Sequence, residues 1–113
     1  MRSSFLDIFP HKLERLLKKL GADLAIARKK RHLSIAEMCE RTLLSKQTYQ
    51  RVEKGDPTVS LGAIAMCLFA LGEERRIGDL IDAANDDTGL LLSTEALPKR
   101  IRRVKPKTGG AAP

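Results

Sequence analysis

Three serines mark the starts of short helices and constrain the fold more than any other feature of the sequence: Ser34, Ser45 and Ser60. The segments that follow them are expected to be helical at about residues 35–41, 46–54 and 61–71. Glu37 lies three positions after the first serine and completes a capping box, and Gly55 and Gly72 follow the second and third segments as stop signals. The chain is therefore expected to fold as a succession of short helices joined by tight turns.

One further helix is expected before these segments and another after them. Apolar residues in steps of three and four form a single stripe: Leu13, Leu16, Leu17, Leu20, Leu24 and Ala27. The stripe passes Gly21 without a break in phase, so we predict one helix over residues 10–31 that tolerates a glycine cost of about 1 kcal/mol. A fifth helix is predicted over residues 74–84 from the spacing of Ile77, Leu80, Ile81 and Ala84.

These elements predict an all-α fold of five helices in which the first helix is extended at its N-terminal end. The 113 residues fit a single domain, and the aromatic content of 4% favours an aliphatic core. Four regions are expected: an extension over residues 1–19 that continues into the first helix, a helix-turn-helix domain over 20–84, a linker or short clasp over 85–97, and a basic disordered tail over 98–113.

The charge of the chain is unevenly distributed. Its net charge is +7, which favours a polyanionic partner, nucleic acid before an anionic membrane. Residues 11–54 contain 12 Lys and Arg against five Asp and Glu, residues 55–97 contain two against eight, and residues 98–113 contain six against none. We therefore expect a basic side that meets DNA and an acidic side that meets another partner.

The 46–54 helix has one face of long polar side chains: Lys46, Gln47, Gln50, Arg51 and Lys54. At 100° per residue all five lie within about 140° of one another, while Tyr49 and Val52 lie behind them. Gln matches the donor and acceptor of adenine, Arg matches the two acceptors of guanine, and Lys serves guanine or phosphate. This face has the chemistry of major-groove readout, although a solvated helix surface can have the same composition.

Residues 24–71 resemble the phage-repressor type of helix-turn-helix protein, the XRE family. The resemblance is carried by Ala27-Arg28, Leu33 to Met38, Ser45 to Gly55 and the Ser60 to Gly72 helix. It implies that the 46–54 helix enters the major groove, where Lys46, Gln47 and Arg51 face base edges, and we expect Gln50 to support them. It also implies a homodimer on a palindromic operator whose half-sites lie about one DNA turn apart.

The resemblance further implies phosphate contacts around the groove, for which we expect Ser34, Arg41, Ser45, Thr48 and Lys54. Two positions depart from the family pattern. Leu43 stands where the family usually has a turn glycine, and a left-handed leucine costs about 1 kcal/mol or more, so we expect a rebuilt turn. Ile35 replaces a glutamine that often contacts phosphate, and Arg41, Lys54 or the cluster at 28–31 is expected to take over that contact.

A narrower resemblance is carried by Gly55 to Gly62, Leu68 to Gly72 and Leu97 to Arg103. These segments are similar to the HipB-like antitoxins encoded beside HipA-type serine/threonine kinase toxins. The similarity implies an autorepressor that also holds the kinase. The apolar residues of 5–9 are candidates for a dimer or partner contact, or pack on the long helix. A stand-alone transcriptional regulator and a protein-binding adaptor on the same scaffold are the alternatives.

The sequence has no pattern of residues that points to catalysis, to a cofactor or to a metal ion. His11 and His32 have no evident Cys or Asp partner, and Cys39 and Cys67 lie among apolar residues without metal-ligand spacing. The longest apolar run, residues 63–71, is far shorter than the roughly 20 residues of a membrane helix. We therefore expect a cytoplasmic, non-enzymatic protein that does not enter membranes.

Overall fold

The computed structural model describes residues 3–91 and 97–103, and every regular element in them is helical. The elements are α1 (Ser3–Asp7), α2 (His11–Lys30), α3 (Ile35–Thr42), α4 (Lys46–Glu53), α5 (Leu61–Ala70), α6 (Arg75–Gly78), a 3₁₀ turn (Ala83–Asn85) and α7 (Asp87–Leu90). The prediction of an all-α fold is confirmed for this part of the chain. The chain divides into two compact units, Met1–Leu80 and Ile81–Pro113.

The three serine caps are confirmed by their hydrogen bonds. Ser34 Oγ accepts from the Glu37 N–H at 3.0 Å while the Glu37 carboxylate accepts from the Ser34 N–H at 2.8 Å, which completes the capping box. Ser45 and Ser60 accept in the same way from the third residue of α4 and α5. These local bonds begin each helix at the residue that the sequence predicted.

The core of the first unit is formed by side chains from α2, α3, α4 and α5. Its buried members are Leu24, Met38, Tyr49, Val52, Ala63, Cys67 and Leu71. The core contains a single aromatic ring, as the low aromatic content predicted. Burial raises the pKa of the Cys67 thiol to about 11, so this cysteine remains a neutral, apolar side chain.

Gly21 allows α2 and α4 to approach each other closely. A Cβ atom on this glycine would lie 2.5 Å from the Glu53 carbonyl oxygen and 2.7 Å from the Val52 carbonyl oxygen. Both neighbours are backbone atoms at the end of α4, so a side chain would push the two helices apart. The glycine is therefore required by packing, which is more than the tolerated cost of about 1 kcal/mol that the helix prediction assumes.

The turn between α3 and α4 keeps a left-handed residue in spite of having no glycine. Leu43 has φ 60° and ψ 20°, its side chain is exposed, and its N–H donates to the Cys39 carbonyl oxygen at 2.9 Å. The buried Thr42 hydroxyl donates to the Met38 carbonyl oxygen and accepts from the Leu44 N–H. The expectation of a rebuilt turn is wrong, because these bonds hold Leu43 in the strained conformation.

The prediction of a fifth helix over residues 74–84 is also wrong. Helix α6 spans four residues and ends at Gly78, and Leu80 and Ile81 are 74% and 83% exposed. These two members of the stripe therefore bury little surface, and most of the stability of a short helix comes from such packing. Asp82 then accepts from the Ala84 N–H, a local bond that competes with a continuous helix.

The C-terminal expectations fall partly outside the described residues. Leu90 ends α7, whereas Leu92, which belongs to the expected clasp, lies outside the part that the structure describes. Residues 97–103 are described and contain neither helix nor strand. The remainder of the expected tail, residues 104–113, is outside the described part of the chain.

Gly21→Ala is expected to destabilise the protein by about 2 kcal/mol or more, because the added methyl group meets backbone atoms that cannot move independently. Gly62→Ala is the matched control, since a Cβ there meets only Ser60 Oγ at 3.8 Å and helix propensity favours alanine. Urea unfolding of both variants measures the difference. Equal stability of the two variants would contradict the close approach of α2 and α4.

Candidate nucleic-acid interface

Helix α4 is attached to the core by one narrow side. Tyr49 and Val52 are 0% and 1% exposed, as the helical wheel predicted. The Tyr49 hydroxyl donates to Glu53 Oε2 at 2.5 Å. Burial, followed by the hydrogen bond to Glu53, raises the pKa of Tyr49 far above its usual value, so the hydroxyl acts as a donor at every physiological pH.

A nearly buried ion pair joins α4 to α2. Arg28 Nε donates to Glu53 Oε2 at 2.7 Å and Arg28 Nη2 donates to Glu53 Oε1 at 3.3 Å. Arg28 Nη1 also donates to the Leu33 carbonyl oxygen at 2.9 Å, which attaches the loop before α3. The Arg28 and Glu53 side chains are only 10% and 14% exposed, and the hydrogen bond to Glu53 raises the pKa of Arg28.

The buried position of Arg28 corrects one sequence-based expectation. The sequence places Arg28 in the basic cluster at 28–31 that is expected to contact phosphate, but its guanidinium is occupied within the protein. A signal for this was present in the sequence, because Arg28 follows Leu24 by four positions and so continues the apolar stripe. Lys29 and Lys30 of the same cluster are exposed.

The outward side of α4 presents long polar side chains next to one another. Lys46, Gln47 and Gln50 are exposed, and Lys54 is exposed at the C-cap. A helix fixed by its rear side and polar in front has the shape and the donors and acceptors that the major groove admits. The structure therefore places these four predicted contact residues on an accessible surface.

Arg51 differs from its neighbours because it is half-buried and held by the loop after α4. Arg51 Nε donates to Asp56 Oδ2 at 2.8 Å and Arg51 Nη2 donates to Thr58 Oγ1 at 2.6 Å. Hydrogen bonds from Thr58 and then from Arg51 lower the pKa of Asp56 to about 2. Sequence reasoning missed this network, although Asp-Pro-Thr after a helix stop is a typical turn sequence.

The predicted phosphate contacts occupy the edges of α3 and α4. Ser34, Ser45 and Arg41 are exposed, and Thr48 is half-buried. Ser45 Oγ lies 3.1 Å from Thr48 Oγ1, so these two hydroxyls stand together at the N-terminus of α4. Hydroxyl groups and free N–H groups at a helix start, with a nearby arginine, are suited to binding a phosphate.

The first unit also contains an open groove that is lined mostly by apolar side chains. It has a volume of about 840 Å³ and is lined in part by Leu17, Leu20, Leu61, Ile64 and Leu68. Val52, on the buried side of α4, lines part of this groove. Within residues 3–91 and 97–103, no group of His, Cys, Asp and Glu side chains could hold a metal ion, and no helix is long and apolar enough to cross a membrane.

Comparison with known proteins identifies the region that contains α3 and α4. A family model described as a helix-turn-helix domain matches residues 19–76, just over half of the chain. No curated protein and no solved structure shows significant similarity to the chain. The match covers the Arg28–Glu53 pair, the outward face of α4 and the loop that holds Arg51.

Glu53→Gln is expected to destabilise the protein by about 3 kcal/mol, because it leaves the Arg28 guanidinium nearly buried without its counter-charge. Glu40→Gln removes the same charge from an exposed position of α3 and is expected to change stability by less than about 0.5 kcal/mol. Urea unfolding monitored by circular dichroism compares them. A loss below about 1 kcal/mol for Glu53→Gln would show that the pair does not hold α4.

Proposed function

The chain belongs to the helix-turn-helix domain family, and on that premise we propose that it is a sequence-specific, double-stranded DNA-binding transcriptional repressor. Helix α4 is the proposed recognition helix. Lys46, Gln47, Gln50 and Arg51 are proposed to contact base edges in the major groove. The observation that carries the proposal is the two-sided character of α4, which is anchored by fully buried side chains and presents exposed amides and cations on its opposite face.

The phosphate contacts are proposed to come from residues around α4. Ser34, Ser45 and Thr48 lie at the starts of α3 and α4, and Arg41 and Lys54 lie near their ends. Contacts of this kind fix the position of the recognition helix on the duplex but contribute no sequence information.

A homodimer is proposed from the apolar surface that the single chain leaves open. Leu61 and Phe69 on α5 are 69% and 62% exposed, and the N-terminal half of α2 exposes Leu13 and Leu16. Exposed apolar surface of this extent is typical of a protein–protein contact. A two-fold dimer would place two copies of α4 on two half-sites of a palindromic operator.

Selection of bound sequences from random duplex DNA tests this proposal. We expect a palindrome whose half-sites lie about one helical turn apart, and an affinity that falls steeply as salt rises because several phosphates are neutralised. Gln47→Ala should lose about 1 to 3 kcal/mol of discrimination at one base pair per half-site and leave the affinity for random duplex unchanged.

Lys54→Ala provides the contrast for that variant. Because Lys54 is proposed to contact phosphate, this variant should weaken binding to selected and random duplexes equally and reduce the salt slope by about one. Fluorescence anisotropy at several salt concentrations measures both effects. Enrichment of no sequence, or an affinity independent of salt, would refute DNA readout and favour an adaptor that binds protein.

The more specific role that we propose is that of an autoregulating antitoxin of a HipA-type kinase toxin. Its support is the similarity of Gly55 to Gly62, Leu68 to Gly72 and Leu97 to Arg103 to HipB-like antitoxins. The apolar groove and the exposed side chains of Phe5, Leu6 and Ile8 offer surface for a protein partner that the DNA face does not use. A stand-alone regulator would have no such partner.

Co-expression with a HipA-type kinase encoded beside this chain tests the antitoxin role. We expect the two proteins to co-elute in gel filtration and the growth arrest caused by the kinase to be relieved. An unrelated serine/threonine kinase serves as the control and should do neither. A chain that elutes alone and leaves the arrest unchanged would exclude the antitoxin role while leaving DNA binding intact.

A further inference from the structure

The guanidinium of Arg51 is held by two groups on one of its edges. Nε donates to Asp56 Oδ2 at 2.8 Å and Nη2 donates to Thr58 Oγ1 at 2.6 Å. Nε and Nη2 share one edge of the planar guanidinium. The remaining donors, both on Nη1 and one on Nη2, point away from that edge and are available to a ligand.

The loop that holds Arg51 is itself fixed by the same carboxylate. Asp56 Oδ1 accepts from the Thr58 N–H at 2.8 Å and from the Thr58 hydroxyl at 2.6 Å, while Oδ2 faces Arg51. The two carboxylate oxygens therefore perform separate tasks. One oxygen closes the loop, and the other sets the direction of the arginine.

We propose that Asp56 is a positioning residue that fixes the orientation in which Arg51 meets a base. The inference rests on the proposed function of α4. A held arginine presents its outer edge, formed by Nη1 and Nη2, to the N7 and O6 acceptors of guanine, and it loses little side-chain freedom on binding. A free arginine at the same place would also bind phosphates and other bases, so Asp56 raises specificity more than affinity.

The negative charge of Asp56 adds to this effect. A carboxylate in the loop that follows α4 repels the phosphate backbone and so opposes binding to random duplexes. The carboxylate also offsets the charge of Arg51. The arginine then binds favourably mainly where a guanine accepts hydrogen bonds from both of its outer donors. Specific binding then depends on the geometry of the Arg51–Asp56 pair, whereas non-specific binding depends on the net charge of that pair.

Asp56→Asn tests the inference, because an asparagine Oδ1 can still accept from the Thr58 N–H while the amide nitrogen replaces the acceptor that faces Arg51. The base pair concerned is identified first, as the one at which Arg51→Ala loses discrimination. At that base pair Asp56→Asn is expected to reduce discrimination at least about fivefold, with affinity for random duplex unchanged or raised. In the Arg51→Ala background it should have no further effect there.

Two other variants separate positioning from loop stability. Thr58→Val removes the hydroxyl that accepts from Nη2 and should lower discrimination at the same base pair by a smaller factor. Asp23→Asn breaks an exposed ion pair of similar length, Lys19 Nζ to Asp23 Oδ2 at 2.6 Å, and should leave discrimination unchanged. Thermal unfolding of each variant shows whether the fold is kept.

The outcomes distinguish this inference from the proposed function. If wild-type protein selects a sequence but Asp56→Asn keeps full discrimination, or weakens all base pairs equally, Asp56 does not position Arg51. An equal loss in the Arg51→Ala background would also overturn the inference, because the effect would then bypass the arginine. A wild-type protein that selects no sequence would refute the proposed function and the inference with it.

Discussion

The arrangement of this domain depends on the contact between Arg28 and Glu53. The pair joins the long helix to the end of α4, and the same glutamate accepts from the Tyr49 hydroxyl. Arg28 also binds the carbonyl oxygen of Leu33, so one guanidinium connects α2, the loop before α3, and α4. Because α4 contacts the core only through this narrow buried side, the ion pair is an important additional attachment, and it leaves free the outward face proposed to read DNA.

Several further features make that connection geometrically possible. Gly21 allows the backbone of α2 to meet the end of α4. Leu43 takes a left-handed conformation in the three-residue turn, residues 43–45, that separates α3 from α4. Both features are locally unfavourable: the close packing of α2 against α4 compensates the glycine, and local hydrogen bonds within the turn hold Leu43. Beyond α4, Asp56 and Thr58 form a second set of polar contacts that determine how Arg51 is presented. Helix α4 thus combines a buried side, formed by Tyr49 and Val52, with an exposed polar side.

Local signals in the sequence predicted the elements, and long-range contacts account for what they missed. The serine caps and the apolar stripe act within one helix, so residues such as Ser34 and Leu24 could be assigned from their neighbours alone. Arg28, Gly21 and Asp56 have their partners on other elements or in a loop, and single-sequence periodicity carries little information about such contacts. The stripe that includes Leu80 and Ile81 predicted a helix that does not form, because hydrophobic periodicity does not show whether the rest of the protein packs against the stripe. The outward face of α4 was predictable; the restraint on Arg51 was not.

The central claim is that the outward face of α4 distinguishes base sequences in a duplex. Nuclear magnetic resonance titration tests it most directly, with the selected duplex compared with a scrambled duplex of equal length. The side-chain amide signals of Gln47 and Gln50 and the backbone signals of α4 are expected to shift strongly with the selected duplex and much less with the scrambled one. Equal shifts with both duplexes, or shifts concentrated at Leu20 and Leu61 in the groove, would contradict it.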